Sequence, residues 1–168
     1  GLNNQAGRYN TSTKVWSAMG VGGDSPPAAT NGQSWGWDGT RVVLWGGCLT
    51  DAACSGGFYN GGYLYNPTTD AYTAMSTAGG IAASYEGTAV WNGTHMIIYG
   101  GQTIDGSANG GFYDTTGNVW VSQFARFNGP SPRRLSGSVW TGTKFMLWGG
   151  SPDGLITNGQ NSGYIYTP

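Results

Sequence analysis

The chain has 168 residues, enough for one domain with a real core. Glycine supplies 32 of them, aromatic residues 14% and charged residues only 9%, and the formal net charge is −1. Many aromatics with few charges exclude disorder. The lack of a basic stripe beyond Arg133-Arg134 argues against a nucleic-acid partner, and no apolar run approaches the roughly 18 residues of a membrane span.

The chain opens at Gly1 without Met or a visible signal peptide, as expected of a mature or trimmed product. Residues 1–6 are polar and read as irregular. Residues 7–19 read as a hairpin, Gly7-Arg-Tyr9-Asn10-Thr-Ser-Thr-Lys-Val-Trp16. Asn and Thr between two aromatics make its turn. A Gly-, Pro- and Ala-rich connector follows over 20–30.

Residues 33–47 hold the second kind of hairpin, ending Trp37-Asp-Gly-Thr-Arg-Val-Val-Leu-Trp-Gly-Gly47. Asp-Gly signals a two-residue type I′ turn. The run Val42-Val43-Leu44-Trp45 does not alternate with polar residues, so it reads as a strand covered on both faces. The Gly-Gly pair allows close backbone approach.

Residues 48–61 form a long loop with Cys48 and Cys54, the only cysteines. A disulfide closing this loop implies an oxidising compartment. The competing reading, a metal site, lacks ligands: there is no second Cys pair and His95 is the only histidine. The disulfide is the expectation, with no metal and no cofactor.

Both hairpins then return. Gly62-Tyr-Leu-Tyr65-Asn66-Pro-Thr-Thr-Asp-Ala-Tyr72 repeats the first, and Trp91-Asn-Gly-Thr-His-Met-Ile-Ile-Tyr-Gly-Gly101 the second. Gly111-Phe-Tyr113-Asp114-Thr-Thr-Gly-Asn-Val-Trp120 and Trp140-Thr-Gly-Thr-Lys-Phe-Met-Leu-Trp-Gly-Gly150 repeat them again, and Gly163-Tyr-Ile-Tyr166 starts one more. Each Tyr of the first motif precedes its second aromatic by seven residues. The repeat is about 50 residues, a period of repeat architectures, and it holds two hairpins or four strands. Trp148, in a core strand on this reading, costs about 3–5 kcal/mol to replace with Ala.

Gly-Gly after an apolar strand, then a Tyr, then a Trp after a short turn, resembles the kelch repeat. The form Trp-x-Gly-Thr with Tyr65-Asn-Pro-Thr-Thr-Asp70 resembles its bacterial secreted variety. The resemblance covers residues 7–168. It implies an all-β fold: a kelch-type β-propeller segment of about three four-stranded blades, closed by further blades or by a second copy. The single segment 1–168 divides into an outer half-blade at 7–19, blades at 33–75 and 86–122, and a partial blade at 134–168. Trp37, Trp91 and Trp140 then end strands lining a central channel, and Trp16, Tyr72 and Trp120 lie on outer strands. The chain is expected to be an arc of a longer protein, or half of a six-bladed homodimer.

The expected function is an extracellular binding or structural scaffold without catalysis, secreted or at the cell surface, meeting a protein or glycan through its loops. The alternative is an arc of a secreted kelch-type enzyme, oxidase-like or glycan-active, whose catalytic residues lie outside this chain. The candidate contacts are Asp51, Tyr59, Asp105, Asn109 and Asp153 in the loops, and Glu86, Arg133 and Arg134 at the channel rim. One histidine does not supply the pair that an oxidase copper site uses, and Glu86 lacks a second acid at defined spacing. His95 follows a hairpin turn and reads as a surface residue. Asn10 and Asn92 match the glycosylation acceptor pattern.

Overall fold

The structure is a computed structural model that describes residues 6–20, 22–24, 30–49, 54, 57–103, 110–124 and 129–168. It is all-β. β1 (Gly7–Asn10) and β2 (Val15–Ala18) form a hairpin. β3 (Gly22–Gly23), β4 (Ser34–Trp37), β5 (Val42–Trp45), β6 (Gly62–Asn66) and β7 (Ala71–Ala74) form a first sheet in the order β3-β7-β6-β5-β4. Next come β8 (Ser84–Tyr85), β9 (Thr88–Trp91), β10 (Met96–Tyr99), β11 (Gln102–Thr103), β12 (Gly110–Asp114) and β13 (Val119–Gln123). Of these, β13-β12-β10-β9 make the second sheet, and β8 pairs with β11. β14 (Gly137–Trp140), β15 (Phe145–Trp148) and β16 (Gly163–Tyr166) make the third. The sole helical element among the described residues is a 3-10 turn, Ile156–Asn158.

Two turn chemistries alternate. After the Tyr strands, the Asn10 carboxamide oxygen accepts from the amides of Ser12 and Thr13, and Asn66 and Asp114 repeat this at Thr68–Thr69 and Thr116–Gly117. The last turn residue is left-handed each time: Lys14, Asp70 and Asn118 have φ of 61°, 54° and 55°. The other turn differs from the type I′ expectation. Trp37 pairs with Val42, and Asp38 donates its amide to Arg41, so the central residues are Gly39-Thr40. Only the glycine has positive φ: 96° at Gly39, 97° at Gly93 and 98° at Gly142. The first central place thus favours glycine, and a side-chain oxygen of Asp38, Asn92 or Thr141 accepts from the amide that closes the turn, at Arg41, His95 or Lys144. This explains why Thr141-Gly142 serves as well as Asp38-Gly39.

The Gly-Gly pair redirects the chain after each second strand. The residue that follows it, Cys48, Gln102 or Ser151, pairs with the residue six before the Trp of the same repeat, Asn31, Tyr85 or Arg134. The second glycine is left-handed, with φ of 101° at Gly47, 86° at Gly101 and 84° at Gly150. A Cβ there would lie 2.7, 2.7 and 2.6 Å from the carbonyl oxygens of Asn31, Tyr85 and Arg134. No other residue fits both demands.

The same main-chain bonds join successive sheets. Gly47 donates to Ser84 O at 2.8 Å and Gly101 to Arg133 O at 2.9 Å. Glu86 donates back to Gly32 O at 2.7 Å and Leu135 to Glu86 O at 3.0 Å. Gly32, Glu86 and Leu135 are counterparts, and all three are left-handed, at 63°, 59° and 55°. The first strands β4, β9 and β14 therefore lie side by side, and the hydroxyls of Thr88 and Ser138 hydrogen-bond across β9 and β14.

Two cores fill the spaces between the sheets. Val43, Trp45 and Leu64 of the first sheet meet Met96, Ile98, Tyr113 and Trp120 of the second. Ile97, Tyr99 and Phe112 of the second meet Phe145 and Leu147 of the third. Trp45 and Trp120 pack edge-on, with centroids 4.9 Å apart. β10 is thus buried on both faces, as its unbroken apolar run requires.

β15 departs from that expectation. Its Phe145 and Leu147 are buried, but Trp148 is 65% exposed, whereas its counterpart Trp45 is 0% exposed. Nothing described covers the far face of the third sheet, so Trp148 is not a core residue of the single chain. Trp16, at 68% exposure, is open in the same way on the N-terminal hairpin.

Buried phenols make the cores pH-sensitive. Burial pushes Tyr113 and Tyr99 up to about 12. Burial and then the hydrogen-bonded Asp70 carboxyl do the same for Tyr65. A phenol raised above its unfolded value of 10 favours the folded chain below that value. Stability is therefore retained up to about pH 10 and lost as pH rises toward 12. A series of melting curves against tyrosinate absorbance tests this; melting that is flat over that window contradicts it.

Candidate functional site

One guanidinium gathers three of the residues singled out from sequence. Arg134 lies in the entry segment of the third sheet, six residues before Trp140. Its Nε donates to Glu86 Oε2 at 2.7 Å, and its Nη2 lies 2.6 Å from the same oxygen. Nη1 donates to Gln102 Oε1 at 2.8 Å and to the Asp153 carbonyl at 3.0 Å. The guanidinium carbon lies 4.8 Å from the centroid of the Tyr85 ring. Glu86, Arg134 and Asp153 are therefore one cluster, built from the entry segments of the second and third sheets and the loop between β15 and β16.

The main chain explains the convergence. Leu135 N–H reaches Glu86 O, which sets the two entry segments side by side. Burial, then the neighbouring Glu86 carboxylate, pushes the Tyr85 phenol upward. Gln102 and Tyr85 had no signal of their own in the sequence. They hold the paired positions after Gly-Gly and before the first strand, and only the repeat alignment points to them.

Asp153 shapes its own loop. Its carboxyl accepts from the Leu155 amide at 2.9 Å, the Ser151 hydroxyl at 2.7 Å and the Asn158 carboxamide at 2.5 Å. These bonds, Leu155 first, hold its carboxyl down at about 2.

Arg133 stands apart from the rim. It is 1% exposed. Its donors go to Ser131 O, Ser131 Oγ, Gly149 O and Ser162 O, all at 3.1–3.2 Å. The Tyr164 ring lies beneath it at 5.3 Å. Its charge is held inside the chain by the carbonyls of Ser131, Gly149 and Ser162, which flank the third sheet's strands.

Tyr59 stacks on Tyr63 with centroids 6.4 Å apart and planes 10° from parallel. Burial, then Tyr63, raises its phenol to about 12. Asp51, Asp105 and Asn109 lie outside the described residues. His95 is half-buried rather than a free surface residue, because its ring meets the edge of Phe112 at 6.4 Å.

Cys48 and Cys54 form the expected disulfide, with Cα atoms 5.0 Å apart. It closes a loop already tied by Leu49 N–H to Gly57 O and Gly57 N–H to Cys54 O. The bond hints at an oxidising compartment. Reducing it should lower stability by about 2 kcal/mol, the loop-closure entropy of so short a ring, and the melting temperature by several degrees. Calorimetry with and without reductant checks this, and an unchanged melting temperature contradicts it.

Beside the rim, the first strands frame a polar hollow of about 330 Å³. Gln33, Trp35, Gly36, Thr88 and Ser138 line it. Hydroxyls, a carboxamide and an indole face suit hydrogen bonding and stacking. Among the described residues no three of His, Cys, Asp and Glu converge on a point that would hold a metal, and no helix there is long and apolar enough to cross a membrane. Comparison with protein-family models finds no match to this chain, and neither does comparison with curated proteins.

Proposed function

We propose that this chain is an arc of a secreted, kelch-like β-propeller that acts as a binding scaffold. Its loops at 48–61, 102–110 and 151–162 meet a protein or glycan partner. The observation that carries the reading is the repeated sheet-to-sheet junction. The bonds Gly47–Ser84 and Glu86–Gly32 recur one repeat later as Gly101–Arg133 and Leu135–Glu86. Identical junctions generate a constant rotation from sheet to sheet, which is how blades are laid around an axis. The polar hollow between β4, β9 and β14 is where that axis would run.

The rim supports binding over catalysis. Glu86 is engaged by Arg134, and the cluster ties the entry of the second sheet to the loop between β15 and β16 of the third. Such ties fix loops on a rigid frame, the usual arrangement for recognition. The Cys48–Cys54 bond does the same for the first loop.

A glycan and peptide array tests the reading, with the intact chain beside a variant whose residues 153–158 are replaced by Gly and Ser. Selective binding by the intact chain, lost in the variant at unchanged circular dichroism, is the expected result. Cleavage of a bound glycan, or no selective binding by the intact chain, overturns the scaffold role.

A further inference from the structure

The two ends of the sheet array are complementary to one another. Each internal junction uses an amide of the second glycine and a carbonyl of a left-handed entry residue on the trailing sheet face. It also uses an entry carbonyl and a left-handed amide on the leading face of the next sheet. At the trailing end the corresponding groups are Gly150 N–H and Leu135 C=O. At the leading end they are Thr30 C=O and Gly32 N–H. None of these four has a hydrogen-bond partner among the described residues.

The side chains match as well. The open trailing face shows Val139, Met146 and Trp148, all exposed. Their counterparts on the second sheet, Val90, Ile97 and Tyr99, are packed into the core shared with the third. The leading face shows exposed Trp35 and Trp37, whereas their counterparts Ala89 and Trp91 pack against the first core.

A third observation concerns the outer edge. An apolar cavity of about 150 Å³ lies between the second and third sheets, lined by Tyr99, Phe124, Phe145 and Tyr166 among others. Between the first and second sheets the same place is filled by Trp120, which packs on Trp45 and Tyr113 and bonds Ser76 O. Tyr99 and Tyr166 are the counterparts of Trp45 and Tyr113. The counterpart of Trp120 is Trp16, which lies 5.2 Å from Tyr9 much as Trp120 lies 5.1 Å from Tyr113.

We propose that the trailing face of the third sheet is an interface with a second copy of this chain. The first sheet of that copy closes on it through Gly150–Thr30 and Gly32–Leu135 bonds, and its β1–β2 hairpin supplies the outer strands of the third sheet. β1 takes the place that β16 holds on β15, Tyr9 stands where Tyr166 lines the cavity, and Trp16 fills it. The exchange is reciprocal, so two copies close a six-sheet ring with two identical junctions. This rests on the propeller reading above.

The test is sedimentation equilibrium of the 168-residue chain over a concentration series, with amide hydrogen exchange at each concentration. The expected result is a particle of twice the 17.5 kDa chain mass, with Gly150 and Gly32 amides protected only in the dimer. Trp16→Ala and Trp148→Ala should each raise the dissociation constant at least about tenfold, as buried interface tryptophans do. A chain ending at Ser162 should dimerise more tightly, because β16 no longer competes. A monomer at every concentration, a species larger than two copies, or a dimer with Gly150 and Gly32 still exchanging overturns the proposal. Unprotected Gly47 and Gly101 amides would instead overturn the propeller reading itself.

Discussion

Replacing Trp45 with Ala should lower the stability of the single chain by about 3–5 kcal/mol, whereas the same change at Trp148 should cost under about 1 kcal/mol. The two residues hold the same place in the repeat. Trp45 is fully buried against Trp120, Met96 and Ile98 of the next sheet. Removing it empties an indole-sized volume and forfeits an edge-on aromatic pair worth about 0.5–1.5 kcal/mol beyond its area. No sheet among the described residues lies beyond Trp148, which is 65% exposed, so truncation removes surface already in water. Urea titration below the concentration of any association measures both. Equal losses at the two positions would mean that the third sheet is covered from within the chain.

Arg133→Ala should cost about 3 kcal/mol or more, because it empties a buried side-chain position and strips three half-buried or exposed carbonyls of their shared donor. Gly149 O, Ser162 O and Ser131 O all accept from this guanidinium at 3.1–3.2 Å. Lysine should not restore the loss, since one ammonium does not span the fork that binds Ser131 on one side and the Gly149–Ser162 pair on the other. Arg134→Ala should cost less. Arg134 and Glu86 keep 15% and 17% of their side-chain surface in water, so the groups left behind are solvated more readily than those around Arg133, which is 1% exposed. The midpoints of urea unfolding for Arg133→Ala, Arg133→Lys and Arg134→Ala rank these effects. A near-neutral Arg133→Ala would show that the carbonyls find water, and that the side chain belongs to the surface.

Much of the fold was legible because the chain writes it three times. Tyr…Trp and Trp-x-Gly-Thr mark the hairpins, and the buried run Met96-Ile97-Ile98-Tyr99 announces a strand packed on both sides. The residue types alone misplaced the turn at Asp38-Gly39. Positive φ falls on glycine alone there, and the Asp38 carboxyl accepts from Thr40 and Arg41 instead. Burial opposes ionisation of that carboxyl, yet the bonds from the Arg41 amide, the Thr115 hydroxyl and the Thr40 amide outweigh it and hold the group below its usual range.

Burial at the array ends was not legible. Trp148 and Trp45 have the same neighbours in sequence, and only the presence of a next sheet separates a core residue from a bare one. The rim cluster was half legible. Glu86, Arg134 and Asp153 drew attention as charges in a chain with few, but their meeting depends on the Leu135–Glu86 main-chain bond. Arg133 and Arg134 look equivalent in sequence. Adjacent residues on an entry segment point to opposite sides, one into the third sheet and one across to Glu86.

The central claim is that the first strands of successive sheets lie side by side around a common hollow. The most direct test is a cysteine pair at Thr88 and Ser138, whose hydroxyls bond across β9 and β14. The residues are 50 apart in sequence and belong to different sheets. Mild oxidation of the Thr88→Cys/Ser138→Cys chain should close a disulfide in high yield, detected by peptide mapping alongside the native Cys48–Cys54 bond. Formation of the native bond without the engineered one would contradict the arrangement of the sheets.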